Sequence, residues 1–274
     1  APVVSALVPH ASSMRDVAEA LCARAMRKLR TGDATGAWED LYAVIRLARL
    51  LGRQPTLVEA LVGYSMERMA MQPAASLIHS EHFTVQLNDR IQHDMQSLPP
   101  IASPADRHGE RFMCLDLAIS LARHGGLNDI DDMEGGMSLT DRWNNHIVDW
   151  NNVLIALNKQ YDRVEQIAQL PRGHERETAA ADFEAEVDLM IAQQRGDVSK
   201  LRNFVIGSRR EKQLEAVLFA LMLPATQSSF RIEERARIES ELMQLAAAVA
   251  AWRLIHGELP KMLSAVNTGM SIFL

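Results

Sequence analysis

Apolar residues recur along this chain with the 3.6-residue period of amphipathic helices, and the alternation expected of strands is scarce. Met14, Val17, Leu21, Ala25 and Leu29 form one face of a first predicted helix. The run Thr31–Gly36, rich in glycine and small polar residues, breaks it. A second helix carries Trp38, Leu41, Ile45, Ala48 and Leu51 and stops at Gly52. Thr56 can cap a third helix, with Glu59 reaching back to the cap amide; Leu57, Leu61, Tyr64 and Met69 line its face, and Pro73 is expected to end it. A fourth starts at Thr84 and carries Leu87, Ile91, Met95 and Leu98. Pro99–Pro104 is the clearest interruption in the chain, and it is where two subdomains would meet. The helix that follows, to about Arg123, is apolar on several sides (Phe112, Leu115, Leu117, Ile119, Leu121), which predicts a central, buried element.

The strongest pattern begins at Leu139. Leu139, Trp143, Ile147, Trp150, Leu154, Leu157, Tyr161, Val164 and Ala168 are spaced almost without exception by alternating fours and threes. That is a heptad seam on a helix of roughly 30 residues, which must lie along a neighbour in a bundle or against another chain. Pro171 and Gly173 break it. A further helix from about Glu175 to Gln194 turns Phe183, Val187 and Met190 inward, and shorter helical stretches follow from Leu201 to Pro224. The last long helix, about Ser228 to His256, is expected to bury Leu242, Leu245, Val249, Trp252 and Ile255 before Gly257 closes it. The pattern predicts an all-α protein: an irregular helical bundle or helical-hairpin array of about nine or ten helices, in a single domain over residues 1–274. Gly32, Asp33, Ala37 and Leu41 fit one tetratricopeptide-type hairpin, but no second copy follows at the repeat spacing of about 34 residues.

Composition narrows the function classes. The 274 residues carry a formal net charge of −6, with 47% hydrophobic and 23% charged residues. That is a globular composition rather than a disordered one. The mild acidity argues against nucleic-acid binding. Two cysteines, Cys22 and Cys114, exclude a disulfide scaffold and a thiolate-only zinc site. No apolar run approaches the roughly 20 residues of a membrane span.

Candidate chemistry is sparse. Trp143, Asn144 and Asn145 are repeated one heptad on by Trp150, Asn151 and Asn152, with His146 and Asp149 between them in helical contact distance. The plain reading is two core tryptophans flanked by solvated amides; the functional one is an aromatic and amide surface for a sugar, peptide or partner helix. Arg107, His108, Glu110, Arg111 and Cys114 gather ionisable groups at a helix start, either as a polar binding or catalytic site or as a solvated helix end beside a buried thiol. His79 and His82 lack a third ligand, and the acidic loop 128–134 lacks the glycine and terminal glutamate of a calcium loop. The basic run from Arg202 to Lys212 has no aromatic interleaving and reads as a solvated face. There is no GxSxG, phosphate loop or GxGxxG, so neither a catalytic set nor a metal or cofactor is expected.

Two stretches, 36–51 (Gly-Ala-Trp-Glu-Asp-Leu-Tyr-Ala-Val-Ile-Arg-Leu-Ala-Arg-Leu-Leu) and 54–63 (Gln-Pro-Thr-Leu-Val-Glu-Ala-Leu-Val-Gly), resemble an uncharacterised family of large helical proteins abundant in planctomycete-type bacteria. Residues 109–116 and 251–260 are similar to other segments of that family. The resemblance implies an upstream membrane anchor with the helical body outside the cytoplasm; together with the start at Ala1 it makes the chain an expected piece of a longer one. It carries over no activity and no catalytic residue. The C-terminal stretch also resembles the YRxDxGxYP segment of type II secretion pseudopilins, with Trp252, Arg253, His256, Gly257 and Pro260 in the matching places and Ile255 and Leu259 where the Asp and second Tyr would stand. Three functions are thereby open: a non-catalytic interaction or scaffold protein of the cell envelope, working through a protein partner or homo-oligomer on the 139–168 helix; an α-helical enzyme or small-molecule binder with a polar site near Arg107–Arg111; and a pilin-like assembly component.

Overall fold

The computed structural model describes residues 9–54, 56–103, 109–124, 149–171, 173–198, 218 and 226–266. They are all-α: α1 (Pro9–Arg30), α2 (Ala34–Leu51), α3 (Leu57–Ile78), α4 (Val85–Ser97), α5 (Gly109–His124), α6 (Trp150–Gln169), α7 (His174–Val198), α8 (Thr226–His256) and a short 3-10 turn, Leu263–Ala265. The chain divides into two compact units, one of residues 8–54, 58–102 and 232–274, the other of residues 1–7, 55–57 and 103–231.

The first unit is built on the α1–α2 hairpin. Gly32 turns the chain at φ +86, a left-handed conformation that L side chains avoid. Asp33 then caps α2, its Oδ1 accepting the Gly36 N–H at 2.8 Å. Trp38, Leu41, Ile45 and Leu51 of α2 are buried in the core, and the Trp38 indole N–H donates to Asp94 of α4 at 2.8 Å. Thr84 caps α4 by accepting the Leu87 N–H. Asp40, buried on α2, receives Arg24 through two hydrogen bonds of 2.7 and 2.8 Å and Lys28 at 3.1 Å. Burial pushes its carboxyl up, and the two cations more than offset that and hold it below its ordinary value.

A second polar knot lies deeper. Arg49 of α2 donates Nε and Nη2 to the two carboxylate oxygens of Glu67 on α3, at 2.7 and 2.6 Å. Its Nη1 donates to the Pro99 carbonyl at 2.8 Å, and Nη2 also reaches Ser240 Oγ on α8 at 3.4 Å. The Tyr64 hydroxyl donates to the Ala102 carbonyl at 2.6 Å. The proline-rich segment after α4 is thus pinned by side chains from α2 and α3, which compensate for the backbone bonds that prolines cannot make.

Two expectations for this unit are corrected. Pro73 does not end α3, which continues to Ile78. A helical proline deprives the carbonyl four residues earlier of its donor, and here that carbonyl, Met69 O, takes the Cys22 thiol of α1 at 3.9 Å. In α8 none of the expected inward row is fully buried: Leu242 is 57% and Ile255 62% exposed, and Leu245, Val249 and Trp252 are half-buried. Met243, Ala247 and Ala251 pack on the core instead, because alanines let a helix approach its neighbours closely. Gly257, at φ +77, closes α8 as expected.

The second unit packs α5 and α7 around α6. Its core holds Cys114 and Leu117 of α5, Val153, Leu157 and Tyr161 of α6, and Phe183 and Val187 of α7. Arg163 lies over the Phe183 ring, 4.8 Å from its centroid, and pairs with Glu186 at 2.7 Å. Here too the structure corrects the sequence. α5 buries only one stripe, leaving Phe112 65% exposed. The seam helix does not run unbroken through Asp149, whose backbone is non-helical and whose Oδ1 accepts the N–H groups of Asn151 and Asn152, so α6 begins at Trp150. The seam before residue 149 lies outside the described residues. From Trp150 onward it packs inside this unit, Leu157 and Tyr161 buried and Trp150, Leu154 and Val164 against the same core.

Candidate functional site

The residues singled out from sequence separate into structural parts. Trp143, Asn144, Asn145 and His146 lie outside the described residues, as do Arg107, His108, the acidic loop 128–134 and the basic run 202–212. Asp149 is a helix cap and Trp150 is half-buried against the second core, while Asn151 and Asn152 face solvent. That is the plain reading of the second Trp-Asn-Asn unit.

Arg111 is committed to α6. Its Nε donates to Asn158 at 2.8 Å, Nη2 pairs with Asp162 at 2.9 Å and Nη1 with Glu165 at 3.2 Å. One guanidinium thus reads three residues along one face of a neighbouring helix, which fixes how α5 lies on α6. Glu110 accepts the Leu57 N–H within the same unit. Cys114 is completely buried, and that burial pushes its thiol up to about 11, against the opposing hydrogen bond of the Tyr161 hydroxyl and with a lesser upward push from nearby Glu110. A nucleophile needs the reverse shift.

These thiols make a direct test of packing. Cys22 of the first unit and Cys114 of the second are both buried with pKa values raised by burial. Ellman's reagent at pH 8 is expected to leave both unmodified in the native protein and to label both in denaturant, so that each reports the opening of its own unit. Fast labelling of either thiol in buffer would contradict the packing described.

The two histidines of the α3–α4 turn each have other neighbours. His79 Nδ1 sits 2.8 Å from the Ala75 carbonyl, and His82 lies beside Gly32 with Nε2 3.7 Å from Glu81. Among the described residues no group of three His, Cys, Asp or Glu side chains could hold a metal ion. No described helix is long and apolar enough to cross a membrane.

What the sequence did not indicate is a cleft in the first unit. The end of α3 and the turn after it (Ile78, His79, Glu81, Phe83) face the last turns of α8 and the residues beyond (Val249, Arg253, Leu254, Leu259) across an open space of about 580 Å³. Ile78 and Phe83 are buried and form its floor. Two of its apolar lining residues are exposed, Leu254 at 56% and Leu259 at 63%. Glu81, its side chain 88% exposed, stands on one wall and Arg253 on the other. The arrangement offers apolar area with one charge of each sign at the rim; the other polar side chains on it, His79 and Ser80, are engaged with the Ala75 and Leu77 carbonyls. The signal that pointed here is the stretch Leu242–Trp252, which contains no charged residue and leaves two faces of α8 apolar.

No family model matches the chain, and neither a curated protein nor a solved structure is significantly similar to it.

Proposed function

We propose that the chain is a non-catalytic interaction protein that presents the C-terminal turns of α8, with the cleft beside them, to a protein partner. The observation that carries this reading is the pair of exposed leucines, Leu254 and Leu259, that line the cleft together with buried Ile78 and Phe83. Scattered exposed apolar residues are ordinary, whereas exposed apolar side chains lining a concavity mark an interaction surface. The polar site near Arg107–Arg111 supports a binder or enzyme less well, since Arg111 and Cys114 are held in structural roles. An envelope setting belongs to this proposal through the resemblance alone.

The test is photocrosslinking in cells with benzoylphenylalanine placed at Leu259 and, as a control, at exposed Arg15. A discrete protein adduct from position 259, abolished by Leu254→Glu and absent from the control, is expected. No adduct at 259 above the control would overturn the reading. An adduct of heterologous mass and one of twice the chain's mass both support it.

A further inference from the structure

We infer that α8 is a gate: from residue 232 to its end at His256 it undocks from α1–α4 while those four helices stay folded, and it takes one wall of the cleft with it. The path of the chain permits this. The first unit is built from residues 8–54 and 58–102, and the chain returns to it only at residue 232. The first turns of α8, with buried Phe230, belong to the second unit and its core. The rest of α8 is therefore held on α1–α4 by tertiary contacts alone. Its departure leaves the α1–α2 turn and the caps of α2 and α4 intact.

Those contacts are weak for a helix of this length. In the first core α2 buries Trp38, Leu41, Val44, Ile45 and Leu51, whereas α8 contributes Met243, Ala247 and Ala251, with Ala236 in a small cluster beside Tyr64 and Ile101. Apolar stabilisation scales with the area removed from water, so much less of it ties α8 down. The large apolar side chains of α8, Ile238, Leu242, Leu254 and Ile255, stay exposed. The polar contacts are thin as well. Arg49 reaches Ser240 at 3.4 Å and Arg68 reaches Glu239 at 3.5 Å, both longer than a strong charge-assisted bond. Gln92 Nε2 donates to the Gln244 carbonyl at 2.8 Å, but Gln92 Oε1 and Glu239 Oε2 are buried without a partner among the described residues. A buried acceptor without a donor costs stability that water returns when the helix lifts. An element with little buried apolar area and unmet polar groups opens more readily than the body that carries it. Val249, Arg253 and Leu254 of α8 line the cleft, so the cleft exists only while α8 is docked. Opening and closing require no occupant.

The experiment is hydrogen exchange on the full chain, read by mass spectrometry over urea concentrations below the unfolding transition. Peptides from 238–250 of α8 are expected to exchange at least about tenfold faster than peptides from 38–48 of α2. Their urea dependence should be shallower, because lifting one helix exposes less surface, and the two sets should converge as global unfolding takes over. A matched pair of thiols gives a second readout. Ala247→Cys on α8 and Ala48→Cys on α2 make the same substitution at sites 0% and 1% exposed. In buffer the thiol introduced on α8 should react with Ellman's reagent at least about tenfold faster than the one on α2, with Cys22 and Cys114 still protected and far-UV circular dichroism unchanged. Coincident exchange of the two helices at every urea concentration, or equal labelling of the two introduced thiols, would overturn the inference. Where a cysteine variant does not fold, exchange on the unsubstituted chain decides alone.

Discussion

Arg49→Met is expected to cost the first unit about 3–5 kcal/mol, because it leaves a buried carboxylate without its cation. Arg49 is 10% and Glu67 2% exposed, so water cannot replace the lost partner. Two further acceptors, the Pro99 carbonyl and Ser240 Oγ, lose their donor in the same step. The double variant Arg49→Met/Glu67→Met should recover most of the loss, since two apolar side chains replace two charges, with about 1 kcal/mol remaining for each orphaned acceptor. Arg49→Lys should fall between, as an ammonium keeps the charge but cannot make the paired contact. The sign of the pH dependence follows from burial. Burial is the largest influence on Glu67 and pushes its carboxyl up, with Arg49 pulling the other way. Without Arg49 the folded state prefers the protonated acid. Glu67 is raised in the intact protein too, so both proteins lose stability as pH rises from the ordinary glutamate value of about 4.3; the variant's deficit should be smallest up to the intact protein's raised folded value and grow above it, towards the variant's still higher one. Urea unfolding read by Cys22 labelling checks this, with the Cys114 transition as the internal reference. A single variant no less stable than the double would show that the pair is not the buried unit described.

Most of the local punctuation was legible in the chain. Thr84 opens α4 where the pattern starts it, and Gly52 and Gly257 end their helices as expected, because a start or a stop depends on a few adjacent residues; that Asp33 caps α2 was not read from the sequence. What failed depended on distant ones. Pro73 reads as a stop until Cys22, 47 residues from Met69, is seen to occupy the carbonyl that the proline orphans. The heptad spacing across Asp149 reads as one helix until that aspartate is seen to accept from the amides after it. On α8 the pattern offered two apolar faces, and burial fell on the alanines rather than the leucines because close approach, not side-chain size, decided which face lies on the core. The candidate site was invisible for the same reason. The His79–His82 pair and the 251–260 stretch each read as a separate local feature, and nothing in either links it to the other until α3 and α8 bring residues 78–83 and 249–259 to one cleft.

Gly63 lies where α3 closely approaches the end of α2, and Gly63→Leu is expected to prevent the first unit from folding. A Cβ at this position would stand 2.7 Å from the Ala48 carbonyl oxygen, 3.0 Å from the Gly52 nitrogen and 3.2 Å from the Gly52 Cα. All three are backbone atoms of the end of α2, so no rotamer change can relieve the clash, and α3 must move away from α2. The same Ala48 carbonyl accepts the Gly52 N–H at 2.8 Å, so the intruding carbon would also disrupt the bond that closes α2. Separating the helices would loosen the packing of Ala48, Met66 and Ala70, which lie in one core, and would strain the Arg49–Glu67 pair that spans the same two helices. Even Gly63→Ala should cost about 2–3 kcal/mol as an overpacked site, although alanine favours a helix by about 1 kcal/mol over glycine. Ser65→Ala, exposed on the same helix, should be near neutral and isolates propensity from contact. Thermal unfolding with Cys22 labelling distinguishes the outcomes: if Gly63→Ala melts at or above the wild-type temperature, α3 does not cross α2 at this distance.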